Sequence, residues 1–393
     1  MWDAICRARK RVGHWASQHQ TLLVGTGVVV ACSAGAYYMV RRVVNEAENM
    51  TKDIQRQIAE QQRLGVHLRR TEEECKAAFL RFLPSMKTRI YKQLDLEHIV
   101  ESLKVLDKNE KDTRDMLWDD AKLIGFTRLY ASVYAYCSLQ VLLHCELLIM
   151  GRETFDKAAA HANELDGKED DIEDAKDTLT RQHQFLSSTM DYFFTTGLPK
   201  LIEAVEVHIH GNAELHSWRV HEKRQVQADE LHALLGELHV APQWSVEQWQ
   251  LFLIFPETPA AIVEPSSASA KPWLNELRDI LDRCHHFLHR HLLFMSCMAY
   301  MHSPFLLQAL QDATNSAFER MTTRLVASLF HIPQKQDVPL AKIIPQLKSE
   351  AANLFKPQLQ DELWDDLTKR DSLQHLTTSI FAPNAASIPS TWV

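Results

Sequence analysis

Glycine and proline are scarce in this chain of 393 residues, with 11 and 14 respectively, and runs of alternating Val, Ile or Thr are few. A sheet-based architecture needs such turns and alternations, so it is excluded. Apolar residues recur mostly at three-and-four spacing, which predicts an all-α protein. No phosphate-cradling glycine loop, nucleophile elbow, HExxH or paired CxxC is present, and with them go the strong signatures of nucleotide, hydrolase and zinc chemistry. The expectation is a protein that is not an enzyme and needs no cofactor and no metal. The seven cysteines (6, 32, 75, 137, 145, 284, 297) are odd in number and widely spaced, which argues against a disulfide framework and for buried thiols in a reducing compartment.

What is there divides by charge. Residues 1 to 45 carry about +5 and the rest about -13, within a net charge of -8, so the acidic body is a poor candidate for nucleic-acid binding. Thr21 to Val40 reads TLLVGTGVVVACSAGAYYMV, twenty residues without a charge. At 1.5 Å per residue it is long enough to cross a hydrocarbon core of about 30 Å. Tyr37, Tyr38, Arg41 and Arg42 close it as residues of the headgroup level do. A cleaved signal peptide and a mitochondrial address are the rival readings; an anchor with the body in the cytosol suits the free cysteines better.

The organisation predicted is 1–45 as basic segment and membrane anchor, and 46–393 as one helical domain. Residues 43 to 82 predict a continuous helix ended or kinked by Pro84, with a second helix over about 85 to 104. Phe126 to Met150 is apolar nearly all round, with Arg128 and Glu146 as its only charges. A second membrane pass competes here with a central core helix, and Ser132, Ser138, Gln140 and His144 favour the core. Residues 152 to 180 are acidic and predict a loop or solvated helix. Residues 255 to 272 read as a Pro/Ser-rich loop, and further helices are predicted at about 181–238, 273–300, 304–331 and 346–371. The tail after Phe381 is expected to fray.

Two features bear on chemistry. Cys284-His285-His286-Phe287-Leu288-His289-Arg290-His291 places His285 and His289 on one helical face at a spacing that can bind zinc; histidines scattered around a helix read first as surface residues. Trp118 follows Leu117 at the start of the buried helix and has Asp119, Asp120 and Lys122 beside it. An indole at the rim of a core with a polar collar is either an ordinary core residue or the aromatic anchor of a binding groove.

The chain resembles the peroxin-three family of peroxisomal docking receptors. The resemblance runs through FLPSMKTRIYKQLDLEHIVESLK at 82–104, LWDDAKLIGFTRLYASVY at 117–134, GLPKLIEAV at 197–205, FPETP at 255–259, WLNELRDIL at 273–281, SPF at 303–305 and VPLAKIIP at 338–345. It implies a single elongated bundle around one long central helix, an N-terminal transmembrane helix in the peroxisomal or glycosomal membrane, and a body in the cytosol. It also implies a groove that accepts an amphipathic helix of a peroxin-nineteen-type chaperone carrying membrane-protein cargo. Carried over, the groove comprises Trp118, Ala121, Lys122, Arg114, Leu117, Leu103 and Lys342. Ala121 stands where the family has larger apolar residues, which implies a groove that is wider or built for a bulkier partner side chain, and residues 282–302 look like an insertion. The functional rivals are a mitochondrial outer-membrane adaptor or tether and a membrane-tethered enzyme using the histidine cluster.

Overall fold

The computed structural model describes residues 20–106, 110–163, 170–222, 225–253, 304–330 and 337–381. The chain divides into two compact units, Met1–Val66 and His67–Val393. Helices dominate both, as the all-α expectation required. The histidine cluster, the 255–272 loop, the insertion at 282–302 and the tail fall outside the described residues.

In the first unit, helix α1 (Gln20–Gln93) begins with the apolar stretch 21–40. From Arg41 to Arg63 the described side chains are exposed. Pairs such as Arg42 with Glu46 at 2.9 Å, one turn apart, support such a solvated helix. The side chains of residues 20–38 lie outside the description.

The second unit is built on α3 (Lys111–Asn163). Its most apolar window has a mean hydropathy of 1.5, enough to cross a membrane by composition, yet that window is 94% buried inside the protein. Burial settles α3 as a core helix. Around it pack α2 (Leu96–Val105), α5 (Leu198–Gly211), α9 (Pro304–Leu329), α10 (Leu340–Asn353) and α12 (Asp371–Phe381). The polar residues of α3 serve this packing. Gln140 Nε2 donates to Trp364 O at 3.5 Å, His144 Nε2 is 2.8 Å from Thr377 Oγ1, and Cys137 Sγ donates to Ala313 O at 3.5 Å. Thus α3 is tied to α9, α12 and α11 (Pro357–Thr368) by groups that lipid could not satisfy. The described cysteines 75, 137 and 145 are buried free thiols.

Four boundaries differ from expectation. First, α1 runs through Pro84 and ends only at Gln93, because Leu83, Met86 and Ile90 are buried on one side and their packing outweighs the lost hydrogen bond. The interruption comes at Asp95, whose side chain caps α2 by accepting from His98 N at 3.0 Å. Second, the acidic stretch is helical on both sides: α3 continues to Asn163 and α4 (Asp170–Tyr192) follows. Third, 346–371 is not one helix; Pro357 starts α11 afresh after α10. Fourth, two short strands, β1 (Gln225–Gln227) and β2 (Asp337–Pro339), pair antiparallel with Val226 opposite Val338. Both valines are buried, and β1 leads straight into α7 (Ala228–Glu237) as β2 does into α10. The rest comprises α6 (Ala213–Ser217), α8 (Val246–Leu253), a π turn at Phe193–Gly197 and two single 3-10 turns.

Candidate functional site

One stripe of α3 organises the site. Arg114, Trp118, Ala121, Gly125 and Arg128 recur at three- and four-residue spacing and so share a face. Helix α2 lies antiparallel along that face, since Glu97 in its first turn meets Arg128 while Leu106 just past its end meets Arg114. Helix α10 lies along it in the parallel sense. A methyl group on Gly125 would stand 3.7 Å from Leu347 and 3.9 Å from Ile344, and Lys348 reaches Glu97 at 3.2 Å. These are ordinary contact distances, so α10 packs against the face of α3 that carries Gly125. Between these walls, toward the start of α3, Trp118 and Leu117 are partly exposed, as is Leu103 on α2 at about the same level. Residues 15 positions apart on neighbouring helices, Leu103 and Trp118, are thereby brought to one level.

The cations behave differently from expectation. Lys122 is 1% exposed, and its ammonium donates to Trp218 O at 2.8 Å and Leu215 O at 3.0 Å, with Asp119 at 3.4 Å. Desolvation lowers its pKa, Asp119 offsetting part of the shift. It caps the end of α6 from beneath and is not available to steer a partner. Ala121 is wholly buried and is floor, not lining. Both placements correct the expectation, for one physical reason: from Ala121 onward this side of α3 passes into the core. Arg114 donates through Nη2 to Leu106 O at 3.3 Å, holding the end of α2. Lys342, in the first turn of α10, is exposed.

The residues missed by sequence reasoning form an ion cluster at the far end of the same stripe. Arg128 is fully buried, lies 3.4 Å from the centre of the Tyr91 ring, and donates through Nη1 to Glu97 Oε1 at 2.9 Å, with Nη2 2.8 Å from Oε2. Desolvation alone would raise the Glu97 pKa, but the Arg128 bonds and Lys348 hold it below the ordinary value. The signal was present as an arginine inside an apolar run; its partner 31 residues earlier was not legible. Among the described residues, no group of His, Cys, Asp or Glu is arranged to hold a metal ion.

The chain is similar in sequence to known proteins. A model of the family described as Peroxin-3 matches residues 14–115. The chain is 27% identical over 314 residues to peroxisomal biogenesis factor 3 of Cricetulus longicaudatus, covering 72% of this chain and 74% of that protein. It is 26% identical over 369 residues to the Homo sapiens protein of the same name, covering 86% and 87%. It is 24% identical over 217 residues to peroxisome biogenesis protein 3-2 of Arabidopsis thaliana, covering 51% and 55%.

Proposed function

From the match to the Peroxin-3 model and the similarity to peroxisomal biogenesis factors over most of the chain, we propose that it is a member of that family and acts in peroxisome biogenesis, as a docking receptor at the peroxisomal membrane. Residues 21–40 anchor it in a single pass and the second unit faces the cytosol. The partner is a chaperone of the peroxin-nineteen type, whose N-terminal amphipathic helix enters the opening formed by Trp118, Leu117 and Leu103 and so brings membrane-protein cargo to the bilayer. No catalysis is involved.

The observation that carries this reading is the partial exposure of Trp118 in the first turns of a helix whose following apolar run is the core of the unit. A large aromatic side chain at the mouth of a packed core gives an incoming helix a desolvated contact already held rigid by its own helix. Leu103 and Leu117 supply the apolar surround that a helix-in-groove mode needs. With Lys122 buried and Arg114 holding Leu106, Lys342 is the one cation of the proposed set that is exposed, and it supplies steering.

The test is complementation. In cells lacking the protein, the wild-type chain is expected to restore peroxisomes and the insertion of their membrane proteins. Trp118→Ala, at equal abundance and still at the membrane, is expected not to. Full restoration by Trp118→Ala would contradict the proposal.

A further inference from the structure

We infer that Glu97 is a positioning residue that sets the gap between α2 and α10 and therefore the space above Trp118. The inference rests on the docking reading and adds to it the means by which the groove is held open at a fixed width.

Three observations carry it. Arg128 is fully buried, and both its terminal nitrogens are within 2.9 Å of the two Glu97 oxygens. A buried guanidinium cannot give up its carboxylate without a large desolvation penalty, so the Glu97 head is fixed relative to α3. Next, the same Glu97 Oε1 that Arg128 binds lies 3.2 Å from Lys348 Nζ, so α10 is tied to the point to which α2 is tied. Finally, α2 has only ten residues, and its other end is held by Arg114 through Leu106 O. The wall is thus clipped to α3 at both ends by arginines fourteen residues apart on one face, with Trp118 between them. The Glu97 clip also reaches α10.

A helix with its side chains is about 10 Å across, so a small change in this gap decides whether it seats on the indole. Lys348 and Glu97 are each 41% exposed, and the link between them can be altered with the buried pair left in place. Lys348→Glu puts two carboxylates together and drives α10 from α2. Lys348→Arg keeps the link.

The experiment uses the full-length chain in detergent, labelled with 5-fluorotryptophan. The chain has nine tryptophans, and the resonance of Trp118 is assigned by its loss in Trp118→Phe. Without any partner, Lys348→Glu is expected to shift or broaden that resonance. A synthetic peptide of the chaperone's N-terminal helix is then expected to dissociate at least fivefold faster from it, with Lys348→Arg behaving as wild type in both respects. Should Lys348→Glu melt at a lower temperature, Lys348→Gln, which removes the charge without repulsion, carries the comparison with smaller effects of the same sign. A Trp118 resonance that stays in place in both variants overturns the inference, whatever happens to binding: weakened binding alone would mean that Lys348 touches the peptide directly. Failure of the docking reading is distinguishable, because it appears as wild-type protein that ignores the peptide or holds it as tightly after Trp118→Ala, while the unliganded spectra still decide the role of Glu97.

Discussion

At the scale of single residues, Lys122 and Glu146 separate what a residue type suggests from what its surroundings make of it. A lysine beside a candidate anchor reads as a steering charge. In the fold its ammonium instead serves two backbone carbonyls at 2.8 and 3.0 Å. Lys122→Ala is therefore expected to cost roughly 3 kcal/mol of stability, since it strands buried acceptors; urea denaturation measures this, and a stable variant with weakened docking would restore the steering role. Glu146 is fully buried, and burial pushes its carboxyl up to about 8, the Thr189 hydroxyl offsetting only part of the effect. Below pH 4.5 the group is protonated in folded and unfolded chains alike and costs nothing. Between there and about pH 8 the folded state retains a proton that the unfolded chain releases, so stability falls as pH rises, by roughly 3 kcal/mol at pH 7. Glu146→Gln is expected to be more stable than wild type at pH 8, with the difference shrinking toward pH 5 in thermal melts. An equal difference at both pH values would show that the carboxyl is solvated. The partly exposed Trp118 was legible from its neighbours in sequence, whereas the burial of Lys122 was not, because the carbonyls it serves are more than 90 residues away.

Elements were legible where periodicity is long and boundaries are set locally. The apolar run of α3 identified the core helix, and its polar residues correctly argued against lipid: Gln140 and His144 reach partners on α11 and α12. Pro84 misled for the converse reason: Leu83, Met86 and Ile90 bury α1 on both sides of it, and tertiary packing overrides a local breaker. The β1–β2 pair joins residues over 100 positions apart through three residues each, too few for any alternation to show. The π turn at Phe193–Gly197 escaped notice likewise, and its glycine is the point where α8 approaches. A methyl at Gly197 would lie 1.9 Å from Phe252 O, so α8 crosses the turn in direct backbone contact. Gly197→Ala is expected to destabilise the second unit by about 2 kcal/mol or more, visible as a lower melting temperature; an unchanged melt would mean that α8 does not approach so closely.

For the whole molecule, the sequence reading and the structure meet in one long core helix, with a partly exposed tryptophan near its start. The family resemblance supplied the direction in which to read that exposure, and geometry reduced the proposed lining to Leu103, Leu117 and Trp118, with Lys342 exposed nearby in sequence to the start of α10. Anchoring belongs to this scale as well. Residues 1–45 fused to a fluorescent reporter are expected to mark peroxisomes, and a mitochondrial pattern would favour an adaptor of another organelle. The claim on which everything else depends is that Trp118 is where a visiting helix binds. It is tested most directly by calorimetric titration of the full-length chain in detergent with the chaperone's amphipathic helix, for wild type and Trp118→Ala at matched melting temperature. The expected result is a loss of about 2 kcal/mol or more, roughly 30-fold in Kd; equal affinities for the two proteins would contradict it.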